Sequence, residues 1–336
     1  MKIKWGILGT ARIAHRVAKA IQSTRNGELC AVASRTKEKA LEFSKLNNVM
    51  KAYNNYDDLL NDKEIDAVYI PLPNHLHKEW VIKAASNSKH VLCEKPFALT
   101  INDAENMFKV GENYKVNIME GFMYRFNPAT LHIKKLINEN IIGSIKYIDF
   151  NFSHYIKGYL GDEDNYRYHK EYGGGALWDL GIYGINFFNY LFDNLPVKII
   201  HCYSESNKGN NTDITFSGLL KYENNVICNL NCSFDYYGNY IIISGSDGQM
   251  MINNLTNTYE KKILAKNSLN EVILEEVIPP FDHFKEEITH FNKCIITGKN
   301  PIITRTDTIL NISLVEKLMK TLEELKPHDR TENSSK

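Results

Sequence analysis

Apolar residues in the first third of the chain fall in short unbroken runs, and between the runs they recur three or four positions apart. The runs at 2–8, 28–34, 65–71, 90–94 and 116–120 predict buried strands, and the 3.6-residue rhythm at 11–22, 37–46, 76–86 and 101–113 predicts amphipathic helices. Strands alternating with helices form βαβ units, which assemble a parallel sheet. Thr100, just ahead of Ile101-Asn102-Asp103-Ala104-Glu105, is placed to cap the last of these helices.

After residue 120 the rhythm changes. Pro128 opens a helix to about Asn138, and a long alternating strand runs from Ser144 to His154. A polar stretch from Gly158 to Tyr172 leads into Gly173-Gly174-Gly175 and a helix ending near Phe192. Residues 197–205, 213–222, 225–235, 239–245 and 248–253 read as antiparallel strands joined by short polar turns such as Glu223-Asn224-Asn225. A further pair spans 258–277, and helices return at 281–297 and about 306–325. The expectation is an α/β domain with a parallel sheet at 1–121 and an α+β domain with a large, mostly antiparallel open sheet at 122–326. The helix near 306–325 is expected to pack back on the first domain. The polar tail, 327–336, is expected to be disordered.

Composition narrows the function classes. The 336 residues are 43% hydrophobic and 24% charged, ordinary values for a soluble protein. Forty basic residues balance 40 acidic ones, so no overall field argues for nucleic acid. No apolar run approaches the roughly 18 residues that span a bilayer, and Trp5 and Gly6 already belong to a strand rather than to a signal peptide. Six scattered cysteines sit in apolar patterns, which predicts buried thiols in a reducing, cytoplasmic compartment. The 11 histidines form no metal-binding spacing, and a metal-free protein is expected.

Four segments carry candidate chemistry. Gly9-Thr10-Ala11-Arg12-Ile13-Ala14 follows the first strand and opens a helix, a relaxed G-x-G-x-x-G/A turn. Backbone N–H groups at such a helix start hold a pyrophosphate, although the same turn also serves plain α/β packing. The second strand ends at Ser34-Arg35, where an NAD-binding fold would place an acid. A hydroxyl and a guanidinium there favour NADP, with NAD left possible, and a solvated basic helix start also fits. Lys95 of Glu94-Lys95-Pro96 lies at a strand's carboxyl end, the edge where open parallel sheets bind ligands. Asp179 and Tyr183 lie four apart in Gly173-Gly174-Gly175-Ala176-Leu177-Trp178-Asp179-Leu180-Gly181-Ile182-Tyr183, so a helix presents them on one face. An acid, a phenol and an ammonium suit proton transfer, and each alone also fits an ordinary surface or core position.

Together with Pro73-Asn74-His75-Leu76-His77 and Met119-Glu120-Gly121-Phe122-Met123-Tyr124-Arg125-Phe126, these segments make the chain resemble the glucose–fructose oxidoreductase / inositol dehydrogenase / rhizopine-catabolism (Gfo/Idh/MocA) family of NAD(P)-dependent oxidoreductases. The order and spacing agree from residue 1 to about 325, most closely with its dihydrodiol and sugar dehydrogenase branch. The resemblance implies a dinucleotide-binding Rossmann domain, with a second domain whose open sheet pairs subunits as a homodimer or homotetramer. On this scheme Gly9, Thr10, Ala11, Arg12 and Ile13 take the pyrophosphate, and Ser34 and Arg35 take the 2′-phosphate. Leu72, Pro73, Asn74 and His77 line the cofactor's path, Glu94 and Lys95 flank the nicotinamide ribose, and Arg167 reaches over from the second domain. Lys95, Tyr183 and Asp179 form the catalytic set. Lys95 holds the reacting oxygen, Tyr183 exchanges the proton, and Asp179 orients Lys95 or binds a substrate hydroxyl.

One position departs from inositol dehydrogenase-like members, which carry His where this chain has Tyr183. A phenol titrates near 10 and an imidazole near 6.5, so a nearby Lys95 ammonium is expected to lower the Tyr183 value. Arg125 stands open between a cofactor role and a buried structural ion pair. Tyr155, Tyr159, Asn165, Tyr168, His169 and Tyr172 crowd the polar stretch and suit a sugar or polyol, or an ordinary surface loop. The reaction expected is hydride transfer between nicotinamide and a carbinol or carbonyl carbon of a sugar, a sugar derivative or a cyclic diol. A non-catalytic NAD(P)-binding regulator on the same scaffold is the alternative.

Overall fold

The computed structural model describes residues 1–156, 165–206 and 212–325. Tyr159 and the tail at 327–336 lie outside the described residues. In the first domain β1 (Ile3–Leu8), β2 (Gly27–Ala33), β3 (Lys51–Tyr53), β4 (Ala67–Ile70), β5 (His90–Glu94) and β6 (Ile118–Gly121) form a sheet in the order β3-β2-β1-β4-β5-β6. Every pair in it is parallel. Its helices are α1 (Arg12–Ser23), α2 (Lys37–Leu46), α3 (Tyr56–Asn61), α4 (His77–Ser86) and α5 (Ile101–Tyr114). Successive strands step outward from β1 to β3 and then, from β4 on, in the opposite direction. That reversal opens a crevice at the carboxyl ends of β1 and β4. Thr100 caps α5 as expected, accepting from the Asp103 N–H at 3.1 Å. β3 and α3 were not expected, because three half-buried residues and a six-residue helix are too short to show a period.

The second domain begins with α6 (Pro128–Asn138), started by Pro128 and capped by Asn127, which accepts from the Ala129 N–H at 2.9 Å. Its sheet holds β7 (Ile145–Ser153), β8 (Val197–Ser206), β9 (Asp213–Tyr222), β10 (Ile227–Ser233), β11 (Gly238–Gly245), β12 (Gly248–Asn253), β13 (Lys261–Asn267) and β14 (Val272–Ile278), in the order β14-β13-β12-β11-β7-β10-β9-β8. β7 is central and pairs parallel to β10, while the remaining pairs are antiparallel. One face is apolar. Ile148, Phe150, Leu230, Cys232, Ile241 and Ile243 are buried there beneath α7 (Ile182–Leu191), with Phe150 meeting Phe187 and Phe188 at ring distances of 6.0 and 5.9 Å. The other face carries a polar ladder: Asp149 accepts from Asn229 and Asn231 at 2.9 and 3.2 Å, and Ser217 donates to Asn231 at 2.6 Å.

Both closing helices, α8 (His283–Thr297) and α9 (Arg305–Leu325), return to the first domain. α9 packs on α7 and crosses α5, where Glu316 accepts from the Ile101 N–H at 3.2 Å and Arg305 pairs with Glu105 and Glu112. The more deeply buried contact belongs to α8. Trp5, fully buried on β1, donates its indole N–H to Asn292 at 2.8 Å and packs on Phe291. All six cysteines are free and buried. Among the described residues no helix is long and apolar enough to cross a membrane, and no cluster of metal-ligating side chains is found.

Trp5→Ala removes a filled volume and a buried hydrogen bond together. It is expected to cost about 3–5 kcal/mol, read as a lower urea midpoint at unchanged slope. Arg305→Ala, at an exposed ion pair, is expected to cost under about 1 kcal/mol.

Candidate active site

β1 ends at Gly9, whose φ of +109° favours glycine and whose N–H donates to the Ala33 carbonyl at 2.8 Å. A Cβ there would lie 2.9 Å from Leu72 Cδ2, so the glycine lets the turn pass close under the loop after β4. α1 then starts at Arg12 with Ala11 as an extended N-cap that offers no side-chain bond, and its first turn holds no acid. Ala11 and Arg12 are exposed. A helix start with no side-chain cap and no carboxylate in its first turn fits the pyrophosphate of a dinucleotide. Thr10 and Ile13 are half-buried beside them. At the end of β2, Ser34 is buried with its N–H on the Tyr53 carbonyl at 3.1 Å, and Arg35 is exposed at the rim. Lys37 and Lys39, also exposed, open α2.

In the loop after β4, Leu72 and Asn74 are buried and Pro73 is half-buried. Asn74 donates to the Gly173 carbonyl at 2.9 Å and His75 stacks on Tyr172 at 4.2 Å, so this loop is tied to the glycine-rich turn of the second domain. His77 does not reach the cleft surface. It is fully buried, with Nδ1 2.8 Å from the Pro96 carbonyl and Nε2 2.7 Å from the Leu72 carbonyl. Burial lowers its imidazole to about 4, so the neutral ring donates to one of the two carbonyls. It joins the loop to the Lys95–Pro96 turn from beneath.

Lys95, Asp179, Arg167 and Tyr183 are brought together. Lys95 follows β5, and its ammonium donates to the Asp179 carboxylate at 2.8 Å and to the Asp179 backbone carbonyl at 2.6 Å. Arg167 Nε holds the other carboxylate oxygen at 2.7 Å. Asp179 sits in a π-helical turn, Leu177–Gly181, that precedes α7. Such turns leave carbonyls out of the regular helical ladder, and this one is met by Lys95. Burial alone would raise the Asp179 carboxyl, but the Arg167 and Lys95 charges outweigh it and hold the group well below the usual carboxylate range. Glu94 accepts from the Tyr69 hydroxyl at 2.5 Å, and burial raises its carboxyl.

Tyr183 lies on α7, one turn beyond Asp179, with Lys95 Nζ 4.9 Å from its ring centre. The expected lowering of its phenol is reversed: burial raises it well above the ordinary value, and Glu94 and Asp179 push the same way. Lys95 spends its hydrogen bonds on Asp179 and faces the ring rather than the hydroxyl. That hydroxyl donates to Met123 Sδ at 3.8 Å, a weak acceptor. Arg125 is buried with its guanidinium 3.9 Å from the Tyr190 ring centre, so among the described residues its charge meets an aromatic face rather than a carboxylate.

Sequence reasoning missed Asp213. This residue at the start of β9 is buried and accepts from the Leu177 N–H at 2.7 Å, anchoring the turn that carries Asp179. Gly175, at φ +108°, leaves room for it: a Cβ there would lie 2.0 Å from Asp213 Oδ1. The three glycines free the backbone there, but nothing in the sequence named the partner 38 positions beyond Gly175. His154, just past the end of β7, was read only as a strand end, although its parity with Phe150 and Phe152 sets it against Phe152, which packs on Tyr183.

A six-stranded dinucleotide-binding sheet, a lobe that closes over it with an open eight-stranded sheet, and a Lys–Asp–Tyr group between them define a two-domain nicotinamide-dependent oxidoreductase. Residues 3–122 match the family described as "Oxidoreductase family, NAD-binding Rossmann fold", and residues 130–251 match the "GFO/IDH/MocA C-terminal domain". The chain belongs to the GFO/IDH/MocA oxidoreductase family. It is 29% identical to D-xylose 1-dehydrogenase (NADP(+)) 2 of Haloferax volcanii, over 95% of this chain and 97% of that one. To trans-1,2-dihydrobenzene-1,2-diol dehydrogenase of Xenopus laevis it is 33% identical, over 57% of this chain and 58% of that one. Among solved structures it superposes on KijD10, a 3-ketoreductase of Actinomadura kijaniata in complex with NADP and TDP-benzene. The TM-score is 0.88 at 27% identity, covering 96% of this chain and 98% of that one.

Burial pushes the Asp213 carboxyl up to about 7, against the backbone N–H bonds that pull it down. Its stabilising contribution is therefore full below about pH 4 and is lost as pH rises through about 7. The stability of the protein relative to Asp213→Asn is expected to fall across that window in urea titrations at stepped pH. A pH-independent difference would show that the carboxyl does not titrate there.

Proposed function

We propose that the chain is an NADP-dependent oxidoreductase that interconverts a hydroxyl and a carbonyl on a sugar, a sugar derivative or a cyclic diol. One observation carries the reading: Lys95 of the first domain and Asp179 and Tyr183 of the second converge at the carboxyl end of β5. The relatives named above, two dehydrogenases and a ketoreductase, support it.

The residues fit a dinucleotide. Gly9, Thr10, Ala11, Arg12 and Ile13 would hold the pyrophosphate, Ser34 and Arg35 the 2′-phosphate, and Leu72, Pro73 and Asn74 the path toward Glu94 and Lys95. When bound, the cofactor supplies or takes the hydride. The protein then positions one oxygen and moves one proton. Lys95 and Arg167 flank the Asp179 carboxylate in a partly desolvated pocket. Charge growing on a substrate oxygen would be drawn to Lys95. Tyr183, kept protonated by burial, is a proton donor to that oxygen in carbonyl reduction. Asp179 fixes the ammonium, and Arg167 fixes Asp179. A pure binder has no need of this proton-transfer set, which speaks against a regulatory protein on the same scaffold. The half-buried polar ladder of the second sheet supports a homodimer or homotetramer formed through that face, and the buried free thiols support a cytoplasmic setting.

Lys95→Met and Tyr183→Phe are each expected to lower kcat by about 10²–10⁴-fold while NADPH binding, followed by fluorescence, persists. Near-normal turnover in both would sink the assignment. Arg35→Glu is expected to weaken NADPH at least about tenfold relative to NADH, and an unchanged ratio would remove Arg35 from the phosphate site.

A further inference from the structure

The inward row of β7 continues past the core. Phe150 and Phe152 are buried, and His154 is the next residue of that parity, half-buried just beyond the strand's end. Its backbone is fixed, because its N–H donates to the Ser233 carbonyl at 2.9 Å and the Ile156 N–H donates to Phe234 at 3.0 Å. The imidazole meets Phe152 edge-on at 4.9 Å, and Phe152 meets Tyr183 edge-on at 5.3 Å. On its other side the imidazole meets Tyr237 at 5.6 Å, and Tyr237, between β10 and β11, is 70% exposed. A line of rings thus leads from the phenol of the site to solvent.

We propose that His154 and Tyr237 form the outer half of the substrate pocket and that this half takes a free, uncharged sugar ring. The proposal rests on the oxidoreductase reading above. A sugar ring has an apolar C–H face and a rim of hydroxyls. Tyr237 offers a flat apolar surface to the first, and a neutral imidazole offers a lone pair to the second. Burial keeps His154 neutral, against the Asp179 carboxylate that favours its charged form. A nucleoside diphosphate would set two or more negative charges against a wall of neutral rings. Among the described residues, the cations beside Asp179, Lys95 and Arg167, are already engaged by it. Uncharged hydroxyls meet no such opposition.

The test compares His154→Phe, His154→Gln and Tyr237→Ala with the unaltered chain, using NADP(H), a panel of free pentoses and hexoses, and dTDP-glucose. His154→Phe is expected to raise the KM for the preferred free sugar about tenfold with kcat changed less than about threefold. His154→Gln, which restores an acceptor, is expected to recover most of that loss. Tyr237→Ala is expected to raise KM several-fold, and NADPH binding is expected to stay the same in all three. If the unaltered chain turns over free sugars and His154→Phe and Tyr237→Ala leave KM unchanged, the proposal falls and the oxidoreductase reading stands. Turnover confined to the nucleotide-linked sugar overturns the substrate class. If no hydroxyl or keto compound is turned over at all, the oxidoreductase reading fails, and this proposal with it.

Discussion

The site depends on one buried carboxylate shared by two cations. Asp179 is held by Lys95 from the first domain and by Arg167 from its own, with side-chain exposures of 11% for Lys95 and 13% for Asp179. Taking such charges out of water is costly, and the geometry offsets that cost only because every oxygen of the carboxylate has a charged donor. Removing Asp179 strands two cations in the cleft, with a typical cost of about 3–5 kcal/mol. The same three groups therefore latch the two lobes together and set the electrostatics of the cleft between them.

The scaffold around this contact serves to aim it. Lys95 projects from the end of a parallel strand, and Asp179 sits on a π-helical turn whose exposed carbonyl gives the ammonium a second acceptor. Asp213 and Gly175 set the start of that turn from the sheet below, while Asn74 and His75 clasp the glycine-rich segment from the first domain. These contacts span the lobes and join residues far apart in sequence. Relative movement of the lobes would strain several of them at once.

The first domain was legible because its strands are unbroken apolar runs and its helices hold a clean period. The missing pieces, β3 and α3, were too short for either signal. The second sheet was read strand by strand, but its parallel β7–β10 pairing was hidden, since alternation reports which face a residue occupies and not which strand lies beside it. Within the site, spacing placed Asp179 and Tyr183 on one helix and Lys95 on a strand end. It could not show that Arg167 would take the second carboxylate oxygen, or that His77 would sit beneath its loop with both ring nitrogens on carbonyls. These outcomes depend on tertiary distances.

The Tyr183 phenol shows most sharply where sequence reasoning about charge fails. A lysine near a tyrosine suggests a lowered phenol, but direction decides the sign. Lys95 approaches the ring face at 4.9 Å and gives its hydrogen bonds to Asp179, so its field is largely cancelled before it reaches the hydroxyl. What remains is desolvation together with the negative field of Glu94 and Asp179, and both favour the neutral phenol. A phenol in that state gives up its proton only to a stronger base, such as an oxygen on which charge is growing. On the proposed mechanism the arrangement therefore favours proton donation timed with charge development on the substrate, because a free phenolate is disfavoured.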